Sequence, residues 1–191
     1  MQNNKIILAS SSPRRIEILQ KNGIEPIVIA PQVTENLPET ISKEQAVLFL
    51  ALKKALSVES ALMNDGSYSD HLLIAADTIV YKDYIIGKPT DKEDAYKILM
   101  HLRKSSHYVV TGVAILKPHT AVRNVFYDIT EVFFKDYTEE ALLTYITTEE
   151  PFDKAGGYAI QGTFGKYVDH IDGDIDNVIG LPWYKIQPLL K

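Results

Sequence analysis

The sequence predicts an α/β protein built around a mixed, twisted sheet that is flanked by helices. Short apolar runs typical of buried strands alternate with segments whose apolar residues recur at helical spacing, which indicates a parallel part of the sheet. Residues 108–116 and 122–134 are longer strand-like segments joined by a short turn at Pro118, which indicates an antiparallel part. A sheet that contains both parts is mixed.

Length and composition limit the classes of protein to which the chain can belong. Its 191 residues, 46% hydrophobic and 24% charged, predict one globular domain over residues 1–191, either simple or two-lobed. The lack of cysteine excludes a disulfide framework, a thiolate nucleophile and a cysteine-based zinc site. The net charge of −5 argues against binding to nucleic acid, and the longest apolar run is too short for a membrane span. Because the first residues do not resemble a signal peptide, we expect a cytoplasmic protein with no membrane partner; a homodimer is left open.

The chain begins with a predicted strand, a polar turn and a helix. Residues 6–9 form a short apolar run that is typical of a buried strand. Ser12 is a good N-cap, Pro13 suits the first helical position, and Gly23 marks the end of the helix.

The polar turn of this unit is a candidate phosphate-binding site. A helix N-terminus offers backbone N–H groups and partial positive charge, and guanidinium groups match phosphate oxygens. Ser10, Ser12, Arg14 and Arg15 are therefore candidate phosphate ligands. The alternative is an ordinary capped helix with solvated arginines.

A second strand and a long helix follow. Residues 27–30 are apolar between two prolines, and Ser42 with Gln45 forms a capping box for the helix. This helix carries Lys54, and Glu35 lies in the polar stretch before it. Taken singly, both side chains are more simply explained as solvated.

A carboxylate interrupts the next strand. Residues 72–76 are apolar, Asp77 and Thr78 follow, and the strand pattern resumes over residues 79–81. A buried aspartate is unfavourable unless it is paired or binds a ligand. Asp77 is therefore either a catalytic group or a buried carboxylate that pairs with Lys88.

The segments after this strand contain two further polar clusters. Residues 84–86 predict a return strand, Gly87-Lys88-Pro89 ends it, and Thr90 with Glu93 predicts the capping box of a helix. Residues 153–162 are rich in glycine and polar groups. The other predicted elements are a helix that begins after Thr138, a strand over residues 167–171 with a turn at Gly173, and a last helix that begins near Pro182.

Four polar clusters thus interrupt otherwise apolar elements, namely residues 10–15, 77–78, 87–89 and 153–162. Several acids and several cations at strand ends suit a phosphate group with a divalent metal. Carboxylates such as Glu35 and Asp77 are the hard oxygen ligands that Mg²⁺ or Mn²⁺ prefers. The five histidines have no metal-ligand spacing, and we assign them no role.

Five motifs along the chain, taken in order, resemble those of the Maf-like nucleoside triphosphate pyrophosphatases. The motifs are Ala9-Ser10-Ser11-Ser12-Pro13-Arg14-Arg15, Ala76-Asp77-Thr78-Ile79-Val80, Gly87-Lys88-Pro89, Asp153-Lys154-Ala155-Gly156-Gly157-Tyr158-Ala159-Ile160-Gln161-Gly162 and Asn177-Val178-Ile179-Gly180-Leu181-Pro182. Each motif is weak alone, but their order over nearly the whole chain makes the resemblance specific.

The resemblance implies a Maf/ITPase-like fold of two lobes with a nucleotide cleft between them. It implies a hydrolase acting on acid anhydrides, which converts dTTP and UTP, and other nucleotides including modified ones, to the monophosphate and pyrophosphate. A divalent metal, Mg²⁺ or Mn²⁺, is the implied cofactor, and house-cleaning of the nucleotide pool is the implied role.

The resemblance also implies roles for residues. It implies that Asp77 is the proton acceptor and that Arg14, Thr78 and Gln161 determine substrate choice. Together with the residue chemistry, it suggests Glu35 and Asp77 as metal ligands and Lys54 and Lys88 as positive charges for the leaving group. The polyphosphate would bind at Ser10, Ser12, Arg14 and Arg15.

Two alternatives remain at this stage. A nucleotide-binding regulator of septum formation with little turnover would keep the arginines but need no base, so the presence of Asp77 favours the enzyme. A phosphatase acting on protein or sugar phosphates would release orthophosphate instead of pyrophosphate.

Overall fold

The computed structural model describes residues 5–38, 40–63 and 66–190, and within these ranges a seven-stranded sheet forms the centre of the fold. Its strands are β1 (Ile6–Leu8), β2 (Ile27–Val28), β3 (Leu72–Lys82), β4 (Tyr84–Ile86), β5 (Ser106–Leu116), β6 (Arg123–Phe134) and β7 (Val168–Asp172). The α-helices are α1 (Pro13–Lys21), α2 (Lys43–Leu62), α3 (Lys92–Leu102), α4 (Glu139–Ile146), α5 (Ile175–Ile179) and α6 (Trp183–Ile186).

The sheet is mixed, which confirms the predicted fold class. Its strand order is β2-β1-β3-β5-β6-β7, with β4 paired to β3. Strand β1 runs parallel to both β2 and β3, whereas β4 is antiparallel to β3 and β7 is antiparallel to β6. None of the described helices is long and apolar enough to cross a membrane.

The chain forms two compact units. The first comprises Met1–Asp77, Thr111–Asp128 and Gly180–Lys191, and the second comprises Thr78–Val110 and Ile129–Ile179. Each unit has its own apolar cluster. In the first, α2 packs its buried face on β1, β3 and β5; in the second, aromatic side chains around Phe134 and Phe164 pack with α3 and α4. Strands β3, β5 and β6 each contribute residues to both units.

Local capping signals located the starts of α1, α2 and α4 correctly and misplaced the start of α3 by one residue. Helix α2 has the predicted capping box, in which the Ser42 hydroxyl accepts from Gln45 N at 3.2 Å. Thr138 caps α4 as predicted. The prediction that Thr90 and Glu93 cap α3 was wrong: the N-cap is Asp91, whose carboxylate accepts from Asp94 N at 2.9 Å. The carboxylate of Asp94 accepts at 2.9 Å from the backbone N of Thr90, which is the residue before the N-cap, so the cap lies one residue later than predicted.

The sequence analysis did not predict α5. It follows the turn at Gly173 in an acidic stretch whose composition favours a loop. The helix depends on Asn177, which is fully buried and donates to Val109 O at 3.1 Å and to Thr130 Oγ1 at 2.9 Å. These contacts join residues far apart in sequence, so no local pattern signals them.

Helix α2 approaches strand β5 very closely at Gly112. A Cβ atom at this position would lie 2.3 Å from the carbonyl oxygen of Val47, which is a backbone atom of α2. A side chain of any size would therefore push the helix away from the sheet. The glycine is required here by the close approach of two backbones.

We therefore predict that Gly112→Ala destabilises the first unit. The added methyl group cannot fit without moving α2, and overpacking of this kind costs about 1–3 kcal/mol or more of the free energy of unfolding. Urea denaturation measures the change. Gly66→Ala is the matched control, because a Cβ there meets open space; its effect should stay within about 0.5 kcal/mol. Equal stability of the two variants would contradict the close approach of α2 to β5.

Candidate active site

The turn after β1 is organised by the hydroxyl of Ser10. Ser10 is buried, and its Oγ accepts hydrogen bonds from Ser12 N and from Arg15 Nη1, both at 3.2 Å. Ser12 is the N-cap of α1, as predicted, and Pro13 occupies the first turn. Strand β1 pairs Leu8 with Ile74 of β3. The same parallel register, continued by two residues, places Ser10 beside Ala76, the residue before Asp77.

Arg15 is held between two segments that are distant in sequence. Its Nε donates to Gly180 O at 2.8 Å, in addition to the bond from Nη1 to Ser10. Burial lowers the pKa of the Arg15 guanidinium; the charge of Asp77 opposes this shift, Arg14 adds to it and Glu35 opposes it. Because arginine remains protonated in proteins, the Arg15 guanidinium stays charged. It interacts with the charges of Arg14, Glu35 and Asp77, and these four groups form one electrostatic cluster.

Two carboxylates of this cluster converge on the ammonium group of Lys54. The Nζ atom lies 2.5 Å from Asp77 Oδ1 and 2.7 Å from Glu35 Oε1. Lys54 and Asp77 are both buried, whereas the Glu35 side chain is 55% exposed. Lys54 is therefore not a solvated side chain of α2. The cation that pairs with Asp77 is Lys54 and not Lys88, which was the partner expected if Asp77 were only a buried structural carboxylate.

The same two carboxylates could contribute oxygen ligands to a divalent metal. Glu35 and Asp77 both reach one atom, so their oxygens lie close together. Mg²⁺ is usually bound through one or two carboxylates, with phosphate oxygens and waters completing its shell. Among the described residues there is no group of three or more His, Cys, Asp or Glu that would hold a metal by itself. Glu35 and Asp77 could therefore supply part of the oxygen shell of a divalent metal, but not all of it.

The second unit brings two of the predicted polar clusters together. We call residues 153–162 the glycine loop. Gly156 N donates to Gly87 O at 3.0 Å, and a Cβ on Gly157 would lie 3.1 Å from Pro89 Cγ. Both loop glycines have positive φ, 73° and 72°, which favours glycine. The exposed side chain of Lys88 lies on the segment that the loop contacts.

Gln161 is exposed, near the end of the glycine loop, on a tightly turned backbone. Gly162 N donates to Ala159 O at 3.0 Å, and a Cβ on Gly165 would lie only 2.1 Å from Ile160 O. The backbone is thus closely packed on both sides of Gln161. Thr78, the other residue implied in base selection, is half-buried on β3.

Buried tyrosine and histidine side chains hold the glycine loop through hydrogen bonds. None of them was predicted to have a role. Tyr158 OH lies 2.6 Å from His107 Nε2, and Tyr145 OH donates to Gly157 O at 3.1 Å. Burial, with a smaller effect of Lys82, lowers the pKa of His107 to about 3, and burial raises the pKa of Tyr158. His107 is therefore neutral and structural. The predicted strand began one residue later, at Tyr108, and the two residues before His107 are serines, so the sequence did not indicate its burial.

Comparison with known proteins gives consistent results. The family model described as "Maf-like protein" matches residues 5–191. A protein of Caldicellulosiruptor bescii named dTTP/UTP pyrophosphatase is 42% identical over 188 residues, covering 98% of this chain and 94% of its own length. A protein of Geobacillus sp. (strain WCH70) with the same name is 45% identical over 179 residues, covering 93% and 92%.

A solved structure shares the fold. The Staphylococcus aureus Ham1 protein matches with a TM-score of 0.53 and 16% sequence identity, and the match covers 98% of each chain. At this identity the likeness concerns the fold alone, whereas the family match and the two relatives extend over nearly the whole sequence. The chain belongs to the Maf-like protein family.

Proposed function

We propose that the protein is a nucleoside triphosphate pyrophosphatase that hydrolyses dTTP and UTP to the monophosphate and pyrophosphate. The observation that carries the proposal is the buried Asp77, held by Lys54 beside Glu35, in the same unit as the serine–arginine turn. The names of relatives that are more than 40% identical support it. House-cleaning of the cytoplasmic nucleotide pool, including modified nucleotides, is the corresponding role.

The turn after β1 would bind the polyphosphate. Ser10 Oγ accepts two hydrogen bonds, and its own hydrogen would be donated to a phosphate oxygen. The N-terminus of α1, the Ser12 hydroxyl and the guanidinium groups of Arg14 and Arg15 add hydrogen-bond donors and positive charge.

Glu35 and Asp77 would hold the divalent metal, Mg²⁺ or Mn²⁺. The bound metal supplies charge neutralisation at the α-phosphate and on the departing pyrophosphate. Lys54 fixes both carboxylates through its hydrogen bonds, so their positions are set before the substrate arrives. With Lys88, it also supplies positive charge for the leaving group.

Asp77 would act as the general base. Its Oδ1 accepts from Lys54, and its carboxylate takes the proton of the water that attacks the α-phosphorus. The new bond joins the water oxygen to this phosphorus, and the bond to the bridging oxygen breaks. That oxygen leaves with its electron pair as part of pyrophosphate.

Thr78 and Gln161 would recognise the base. A glutamine amide can both donate and accept, which matches the O4 and N3–H edge that uracil and thymine share. A polar site that the wrong base leaves unpaired discriminates strongly. A regulator of septum formation with little turnover would need the serine–arginine turn, but it would not need a buried carboxylate fixed by an ammonium group.

The first prediction from the proposed function concerns the reaction. With Mg²⁺ or Mn²⁺, the protein should convert dTTP and UTP to the monophosphate and pyrophosphate, and chelation of the metal should stop turnover. Identification of the products by chromatography tests this. Orthophosphate as the primary product would contradict attack at the α-phosphorus, and the absence of turnover with any nucleotide would favour the regulator.

The second prediction concerns Asp77→Asn. The amide retains an oxygen that accepts from Lys54, so the protein should fold, but it cannot take a proton. Turnover of UTP should fall by about 10²-fold or more. Asp83→Asn, in the exposed turn after the same strand, is the control and should retain wild-type turnover. Near-normal turnover of Asp77→Asn would move the base to Glu35.

The third prediction concerns Gln161→Leu. Loss of the amide should lower the ratio of kcat/KM for UTP to that for GTP by about fivefold or more, which corresponds to about 1 kcal/mol for a lost hydrogen bond. Pyrophosphate should remain the product, because the phosphate site is unchanged. Gln187→Leu places the same group at another exposed position and should leave the ratio unaltered. An unchanged ratio in Gln161→Leu would remove Gln161 from base recognition.

A further inference from the structure

Glu150 is the first residue of the 3₁₀ turn Glu150–Asp153, which leads into the glycine loop. Both oxygens of its carboxylate contact Thr163, the residue that follows the loop. Oε1 accepts from Thr163 N at 3.0 Å, and Oε2 accepts from Thr163 Oγ1 at 2.7 Å. Hydrogen bonds to an ionised acceptor belong to the stronger class. The carboxylate therefore fixes the chain two residues beyond Gln161.

The same carboxylate also explains the glycine next to Gln161. A Cβ atom on Gly162 would lie 1.8 Å from Glu150 Oε1, so the carboxylate occupies the volume that a side chain would need. The φ of Gly162 is −90°, which any residue can adopt. A side chain at this position would therefore displace the Glu150 carboxylate from its contacts with Thr163, and glycine leaves room for it.

Glu150 is also linked to the beginning of the glycine loop. Its backbone carbonyl accepts from Lys154 Nζ at 2.7 Å. Burial raises the pKa of Tyr145, and the charge of Glu150 adds to this rise, so the carboxylate lies close to the hydroxyl that donates to Gly157 O. One residue thus contacts both ends of the loop that presents Gln161.

We propose that Glu150 is a positioning residue that orients Gln161 for base recognition by fixing the backbone at Gly162 and Thr163. The inference rests on the proposed function, in which Gln161 contacts the pyrimidine. A glycine-rich loop has many accessible conformations. Fixing it before the substrate binds lowers the entropy cost of binding. Glu150 should therefore act on nucleotide discrimination and on KM for UTP, and much less on kcat.

The experiment uses the full chain and measures kcat and KM for UTP and GTP by pyrophosphate release. Glu150→Ala should lower the ratio of kcat/KM for UTP to that for GTP by about threefold to fivefold, and by no more than Gln161→Leu does, because the loss is transmitted through the same amide. Glu150→Gln keeps an oxygen for Thr163 N and should restore part of the ratio. Glu149→Ala removes an exposed carboxylate one residue earlier and should leave the ratio unchanged.

A double-mutant cycle tests whether Glu150 acts through Gln161. In the Gln161→Leu background, Glu150→Ala should change the UTP-to-GTP ratio by less than about twofold, because the amide that it orients is absent. A full, additive effect in that background would overturn the positioning role. A merely structural role would lower thermal stability without this non-additivity in the UTP-to-GTP ratio.

Two further outcomes separate the failure of this inference from the failure of the proposed function. If the wild-type protein released no pyrophosphate from any nucleotide, both would be overturned. If the wild type were active and a folded Glu150→Ala kept the wild-type ratio, only the role of Glu150 would be overturned.

Should Glu150→Ala not fold, as judged by circular dichroism, Thr163→Val removes one donor and keeps the backbone N–H. A smaller fall in the ratio would then support the proposal, and an unchanged ratio in both Thr163→Val and Glu150→Gln would overturn it.

Discussion

The first unit depends on the ammonium group of Lys54, which lies buried between Glu35 and Asp77. A buried ammonium without carboxylates would be strongly unfavourable, and so would the buried carboxylate of Asp77 without the ammonium. The geometry of the pair therefore has to be supplied by the fold. Helix α2 begins at a capping box and meets β5 at Gly112, where its Val47 carbonyl fixes the distance between helix and sheet. Lys54 lies two helical turns after Val47 and so on the same face.

In the second unit, too, surrounding elements determine the geometry of a functional segment, and here the segment is a loop. The glycine loop has little side-chain bulk, and its shape is determined by groups outside it. Tyr145 holds its first part, Tyr158 is anchored on His107, and Glu150 holds its end. These supports are side chains of a helix, a strand and a 3₁₀ turn. The loop can therefore expose Gln161 while its backbone remains fixed.

The parts of this structure that could be predicted from sequence are those with local signals. The capping box at Ser42 and the apolar runs of β1 and β3 each involve residues within a few positions, and the structure confirms them. The parts that were missed depend on contacts between distant residues. Helix α5 is stabilised by Asn177, whose partners lie on β5 and β6. Glu150 and Glu149 are adjacent and chemically identical, and only the path of the chain brings the former to Thr163. The same holds for the candidate site. Its motifs could be identified in the sequence, whereas the pairing of Asp77 with Lys54, which are 23 residues apart, could not.

Charge balance connects the phosphate turn with the carboxylates of the first unit. Arg14, Arg15 and Lys54 bring positive charge into this unit, and Glu35 and Asp77 bring negative charge, so the cluster is nearly balanced in the free protein. This balance allows two arginines and a buried lysine to lie near one another without a ligand. It also means that the cluster alone cannot neutralise a triphosphate, which carries several negative charges. The carboxylates that stabilise the free protein are also the oxygen ligands that a divalent cation needs. In the proposed function, Glu35 and Asp77 thus have two parts: they balance the charge of Arg14, Arg15 and Lys54 in the free protein, and they supply oxygen ligands to the metal.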